Sequence, residues 1–308
     1  MLLKLKPIIK HILWGGDKLS REYGIGEDGE KVAEAWQLTC RKDGDNEIVN
    51  GKYKGRTFSD YISENPSSIG TKNKFDRFPL LIKLIDAGAD LSIQVHPNDE
   101  YAKAHTSELG KTEMWYIVEA EPGAKIAYGL KKKYSRRELE TAIQNGTLEE
   151  CVNYVNVKPG ETYFIPSGTV HAICAGLLIA EIQQDSNITY RVYDYNRRQP
   201  DGSLRQLHIE DALNVIETVD PSDIKSTNYD DVIADCPFFK VRVINPKENE
   251  IINVSEDSFL HVMCLSGTIS VSDKDEKVDL VKGSSLFVPA GDGMVSIVGE
   301  GKVIVSSM

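Results

Sequence analysis

Four short stretches of the chain carry side chains able to hold a divalent ion and move a proton. His171 closes Gly160-Glu-Thr-Tyr-Phe-Ile-Pro166-Ser-Gly168-Thr-Val-His171, where a β-branched and aromatic run meets a Pro-Ser-Gly turn. That order predicts a strand, a tight turn, and an imidazole opening the next strand, Ala172 to Ile182. Residues two apart on a strand share a face. Gln94 and His96 are therefore a pair within Leu91-Ser-Ile-Gln-Val-His-Pro97. Lys111 and Glu113 are a second pair within Gly110-Lys-Thr-Glu-Met-Trp115. His96, Glu113 and His171 supply two imidazoles and a carboxylate, a set that holds a catalytic zinc and leaves a position for substrate or water. Gln94 adds a neutral oxygen ligand. Arg191, in Tyr190-Arg-Val-Tyr-Asp194, follows the strand that His171 opens and returns across the same mouth. Its guanidinium is a fixed cation, suited to stabilising an enediolate or holding a phosphate. The bland alternative is an ion pair with Asp194.

The remaining candidates read as ordinary structure. His11, His105, His208 and His261 lack such partners. Ser167 belongs to the turn, and no G-x-S-x-G surrounds it. Gly15-Gly16 is no phosphate loop, because no G-x-G-x-x-G follows a strand. Lys131-Lys132-Lys133 is a solvated approach to a helix.

The His171 unit occurs twice. Gly283-Ser-Ser-Leu-Phe-Val-Pro289-Ala-Gly291-Asp-Gly-Met294 repeats the glycine and proline spacing and ends in methionine. A supersecondary unit used twice, with metal in one copy only, follows. A thioether is a poor zinc ligand and a good filler of apolar gaps, so Met294 is expected to be packed inside a supporting barrel. Strand patterns dominate elsewhere: Lys31–Cys40, Leu80–Ile85, Leu91–His96, Trp115–Val118, Lys125–Tyr128 and Leu177–Gln183 before the boundary, Phe239–Ile244, Phe259–Leu265 and Val303–Val305 after it. Ser135-Arg-Arg-Glu138 predicts a capping box that opens a helix towards Asn145-Gly146. Asp99 to Glu108 and His208 to Thr218 read as short helices. The chain turns polar from Pro221 to Asp235, which predicts a catalytic domain over 1–234 and a degenerate, metal-free barrel over 235–308.

Composition narrows the function classes. A chain of 308 residues suggests two domains. A net charge of −11 argues against nucleic acid or an acidic membrane as partner, and an anionic substrate would need a locally basic pocket. Five scattered cysteines without C-x-x-C point to a reducing compartment. No apolar run is long enough to span a bilayer, and Met1-Leu-Leu-Lys-Leu-Lys-Pro7 lacks a signal-peptide core. A cytoplasmic protein is expected.

The His171 turn resembles the second signature of the cupin superfamily, with Ala175 where that signature ends in asparagine. Trp14-Gly-Gly16, Ala33-Glu-Ala-Trp36, Gln94-Val-His-Pro97, Lys111-Thr-Glu113, Pro166 to His171 and Tyr190-Arg-Val-Tyr-Asp-Tyr195 occur in this order. Together they closely resemble the class I mannose-6-phosphate isomerases of short bacterial type, nearly end to end. The resemblance implies a mainly β fold, with two cupin-like jelly-roll barrels and helical segments on the first. It implies one zinc per chain on Gln94, His96, Glu113 and His171, a catalytic arginine at Arg191 and an active-site lysine at Lys111. The implied reaction interconverts mannose 6-phosphate and fructose 6-phosphate through a cis-enediol, and the implied partner is a small phosphorylated sugar. Lys111, a metal-bound water and Glu113 all stand as candidate bases, and oligomeric state is left open. Two departures stand out: Gln37 replaces a glutamate, altering the expected pocket charge, and Thr112 replaces a proline. The large helical insertion of longer members is absent, so their phosphate-binding residues do not carry over. A cupin dioxygenase would need more histidines than Gln94-x-His96 offers. A non-catalytic sugar-sensing cupin would have no use for Lys111 and Arg191.

Overall fold

The structure, a computed structural model, describes residues 1–199, 201–217 and 231–308. Most of the polar stretch expected to separate the domains therefore lies outside the described residues, as does Thr218. The described residues fall into two units. One holds 11–16, 85–199 and 201–217; the other holds 1–10, 17–84 and 231–308. This differs from a single cut at 234/235. The reason is a non-local ladder: Leu3–Lys6 pairs antiparallel with Ser285–Val288, Leu3 opposite Phe287, and so belongs with the C-terminal strands.

The mainly β expectation stands, and the ladders form open sheets. In the first unit one sheet runs Val152–Asn156, Lys125–Leu130, His171–Ile173, Ile93–Val95, Tyr190–Tyr193. A second set runs Thr162–Ile165, Glu113–Ala120, Leu177–Gln184. One face of the first sheet is covered by helices Arg136–Gln144, Leu148–Cys151 and Ile209–Val215, which bury Leu139, Ile143, Leu148 and Leu213 against Ile93, Val95, Ala172 and Val192. Helix Arg136–Gln144 starts as its sequence demands, with both capping-box bonds between Ser135 and Glu138 formed. Helix Asp99–His105 is capped by Asn98, whose side chain accepts from the Tyr101 amide.

That buried face dictates where the chemistry goes. Fully burying Ile93 and Val95 stabilises the register by about 1.5–3 kcal/mol each. A slip of one residue would drive Gln94 and His96 into the apolar layer. The strand's period of two thus holds Gln94 on the opposite face, with His96 continuing the same parity.

The other unit holds a nine-stranded sheet, ordered Val232–Asp235, Lys240–Ile244, Gly293–Ser307, Leu260–Ser272, Ser285–Val288, Leu3–Lys6, Glu47–Ile48, with Glu250–Val254 and Lys277–Val281 paired off that path. Val262, Cys264, Leu286, Val295 and Ile297 lie in one core cluster. The repeated turn unit is real at the backbone. Gly160 and Gly168 have φ of +94° and +85°, and Gly283 and Gly291, at the matching positions, have +85° and +80°. Met294 does not follow. It is 62% exposed, not packed as expected, because Val295 and Ile297 take the core and parity places Met294 on the other face, opposite Asn253. Among the described residues no helix is long and apolar enough to cross a membrane. All five cysteines are free of disulfides.

Candidate metal centre

Three backbone links bring the sequence-distant motifs together. His171 stands opposite Gln94 in the ladder between their strands. The Gly168 amide donates to the His96 carbonyl at 2.8 Å, tying the turn to His96. The Lys111 amide donates to the Pro97 carbonyl at 3.0 Å, which delivers Lys111 and then Glu113 to the same place. The open αL position at Gly168 is needed here, since a Cβ would also meet Glu217 at 2.7 Å.

His96, Glu113 and His171 are all buried, and their ligand atoms lie within 4.8 Å of one another. His171 Nε2 is 3.2 Å from His96 Nε2 and 3.4 Å from Glu113 Oε1. His96 Nε2 is 3.5 Å from Glu113 Oε2. The Gln94 amide terminus lies 3.3 Å from His171 Nε2 and 3.5 Å from His96 Nε2. Donors held at 2.0–2.1 Å around a tetrahedral ion stand about 3.3–3.4 Å apart. The observed separations bracket that value, so the four side chains fit one small divalent cation. A half-turn of the Gln94 amide presents its oxygen in place of its nitrogen.

The protonation states suit an ion as well. His171 Nδ1 donates to the Thr169 carbonyl at 2.8 Å, which leaves the Nε2 lone pair facing the cluster. Burial, then the nearby Lys111 charge, lowers the His171 pKa to about 4. A neutral imidazole is the form that ligates a metal. Trp115 meets the His171 ring edge-on, with centroids 5.4 Å apart, and fixes its plane.

Lys111 is buried within this cluster. Its Nζ sits 2.6 Å from Glu113 Oε2 and 3.0 Å from His96 Nε2. Arg191 lies opposite Gln94 on the neighbouring strand and so shares the cluster's face. Its Nε donates to Ser92 Oγ at 3.2 Å and its Nη1 to the Gln206 carbonyl at 2.9 Å. The ion pair between Arg191 and Asp194 is not formed; Asp194 instead pairs with Arg197 and Arg205. All six residues singled out in the sequence thus belong to one neighbourhood.

Sequence reasoning passed over several neighbours. Glu181 accepts from Trp115 Nε1 at 2.9 Å, and Gln183 lies directly opposite Glu113. Both are buried. Glu181 and Gln183, polar residues two apart at the end of the apolar run that Leu177 opens, were the available signal. Gln37, expected to alter the pocket's charge, is buried in the other unit and donates to the Gly283 carbonyl at 3.2 Å.

Two family models match the chain: the phosphomannose isomerase type I catalytic domain over residues 2–128, and the mannose-6-phosphate isomerase cupin domain over 231–308. The mannose-6-phosphate isomerase ManA of Bacillus subtilis is 35% identical over 99% of this chain and 98% of its own length. The chain belongs to the type I mannose-6-phosphate isomerase family. The mannose-6-phosphate isomerase of Streptococcus mutans is also 35% identical, over 90% of this chain and 89% of its own. The crystal structure of the Bacillus subtilis mannose 6-phosphate isomerase superposes with a TM-score of 0.89 at 34% identity, covering 100% of this chain and 99% of that one. The family is metal-dependent and catalyses the interconversion of mannose 6-phosphate and fructose 6-phosphate.

Proposed function

We propose that Gln94, His96, Glu113 and His171 hold a zinc ion, one per chain, and that this centre interconverts mannose 6-phosphate and fructose 6-phosphate with Lys111 and Arg191 as catalytic residues. The observation that carries the reading is the convergence of three buried ligand groups with a buried lysine 2.6 Å from one of them. The ion would polarise the sugar oxygens on carbons 1 and 2. Lys111 Nζ is the proton-carrying atom in this reading. As the free amine it takes the proton from carbon 2 of the aldose while the carbon 1 oxygen gains a proton to give the enediol, and the ammonium so formed returns a proton to carbon 1 as the carbon 2 hydroxyl gives up its own to leave the ketose. Glu113 Oε2 anchors that ammonium. Arg191 keeps its charge throughout and faces the negative charge that builds on the sugar oxygens. Trp115 and the apolar strands around the cluster exclude bulk water, which strengthens each of these interactions. A small phosphorylated sugar as partner and a cytoplasmic location complete the proposal.

The test is a coupled isomerase assay on purified protein before and after metal stripping, with metal content measured in parallel. Activity that disappears with the metal and returns with one equivalent of zinc supports the reading. Full activity in metal-free protein refutes it.

A further inference from the structure

Arg191 begins a cluster of cations that the reaction does not consume. Arg191, Arg197 and Arg205 are all partly buried around one carboxylate, Asp194. Three positive charges against one leave an excess of two, in a chain whose net charge is −11. The three guanidiniums are not equally committed. Arg197 donates through Nη1 to the Asp90 carbonyl and through Nη2 to Asp194 Oδ1, and its guanidinium stacks over the Tyr195 ring. It is locked in place by a turn in which Tyr195 and Asn196 both take left-handed backbone angles, with φ of +55° and +52°. Arg191 spends two of its nitrogens on Ser92 and the Gln206 carbonyl.

Arg205 is the exception. Its contact with Asp194 is a single approach of 3.4 Å, to the oxygen Arg197 already holds. Asp194 Oδ2 is buried and receives no hydrogen bond. Arg205 thus does not form the two-oxygen fork that makes the strongest guanidinium–carboxylate pair. Arg205 therefore keeps most of its five donors while partly withdrawn from water, beside a second cation that repels it. Such an arrangement is costly without an anion. Burial lowers the Arg205 pKa, with Arg197 adding to the effect, and burial followed by Arg205 lowers that of Arg191. His208 is held down by burial and then by Arg191.

We infer that Arg205, beside Arg191, is the phosphate-binding residue of this chain. This rests on the isomerase reading and adds to it the end of the substrate remote from the metal. A phosphate monoester carries about 1.5–2 negative charges at neutral pH, which matches the excess. Arg191 leans towards Ser92, two residues before Gln94, so the cationic cluster lies to the side of Gln94 opposite His96. A sugar with its first carbons at the metal would extend its sixth in that direction. Arg197 in this scheme is a positioning residue that holds Asp194 and the turn.

The experiment compares Arg205→Ala, Arg205→Lys and Arg198→Ala in the zinc-loaded enzyme, with circular dichroism checking the fold. Arg198 lies in the same segment, is exposed and donates to the Gly202 carbonyl, so it controls for lost charge alone. Loss of charge-assisted bonds to phosphate should raise KM for fructose 6-phosphate about ten- to a hundredfold in Arg205→Ala, with kcat changing far less. Arg205→Lys should recover part of that loss, and Arg198→Ala should match the wild type. Inorganic phosphate is the activity-independent probe, its binding read by calorimetry. Arg205→Ala should weaken it by a similar factor. Unchanged KM and unchanged phosphate binding in a folded Arg205→Ala protein overturn the inference while leaving the isomerase reading intact. If the wild type does not isomerise but binds phosphate through Arg205, the isomerase reading fails and the anion site stands.

Discussion

Replacing Lys111 by methionine tests the centre more sharply than replacing any ligand. The Lys111 ammonium lies 2.6 Å from Glu113 Oε2 and 3.0 Å from His96 Nε2. Lys111 is 4% exposed and Glu113 is fully buried. In the metal-free protein the ammonium therefore supplies the positive charge that an ion would otherwise bring. It also occupies the His96 lone pair that an ion would use. Removing one partner of such a buried pair costs about 3–5 kcal/mol. Methionine keeps the length and apolar stem of lysine, so packing changes add little. In the metal-loaded protein the ion itself balances Glu113, and the same substitution should cost about 1 kcal/mol or less. The two unfolding energies and the two binding energies form a closed cycle. The difference of about 2–4 kcal/mol must then appear as tighter metal binding, by roughly thirty- to a thousandfold at 1.4 kcal/mol per factor of ten. The measurements are urea unfolding of stripped and zinc-loaded protein, and zinc affinity by competition with a chromogenic chelator. Activity should fall as well, but that alone would not separate a catalytic lysine from a structural one. Equal destabilisation of both forms, with unchanged zinc affinity, would refute the reasoning and remove Lys111 from the ion's immediate surroundings.

Two further expectations concern the other unit. Met294→Ala should change stability by no more than about 0.5 kcal/mol and leave zinc content unaltered, since the side chain is 62% exposed; a loss of 2 kcal/mol or more in urea unfolding would contradict the exposed placement. His261 is fully buried, and burial lowers its pKa from 6.5 to about 3, the Gln37 carbonyl opposing only in part. Its folded-state pKa lies below the unfolded one, so the neutral ring's contribution is complete above pH 6.5 and is lost as pH falls towards 3. At 1.36 kcal/mol per unit this amounts to about 5 kcal/mol. His261→Phe should flatten the decline of unfolding free energy between pH 6.5 and 4 relative to wild type, and parallel curves for the two proteins would exclude the histidine as its source.

The facing of the site residues was legible because strand parity is a hard constraint. Once Ile93 and Val95 are apolar and β-branched, Gln94 and His96 have only the other face available. The capping box at Ser135 was legible for the same kind of reason, since its two hydrogen bonds join residues three apart. What escaped depends on pairings between distant segments. Nothing local in Leu3–Lys6 says that it will lie against Ser285–Val288, and so a single domain cut was drawn. Nothing in the spacing of Arg191 and Asp194 says that Asp194 will be claimed by Arg197 and Arg205. Nothing near Gln37 in the sequence says that its amide will donate to the carbonyl of Gly283.

Met294 shows where the two kinds of information part. Both copies of the turn unit keep their glycines at positive φ, because a backbone that needs the left-handed region prints that need in the residue type. The position after the turn carries no such requirement. In the first copy His171 opens its strand and is fully buried, while its neighbour Ala172 joins the helix-covered layer. In the second copy the strand begins one residue earlier, at Gly293 with φ of +86°, and the core takes Val295 and Ile297. The matching residue falls on the solvent face, where a thioether is tolerated and an ion could not be enclosed. Among the described residues a repeated backbone thus yields one buried cluster of ligand groups rather than two, since enclosing an ion depends on which face the strand turns inward as much as on the residue at the end of the turn.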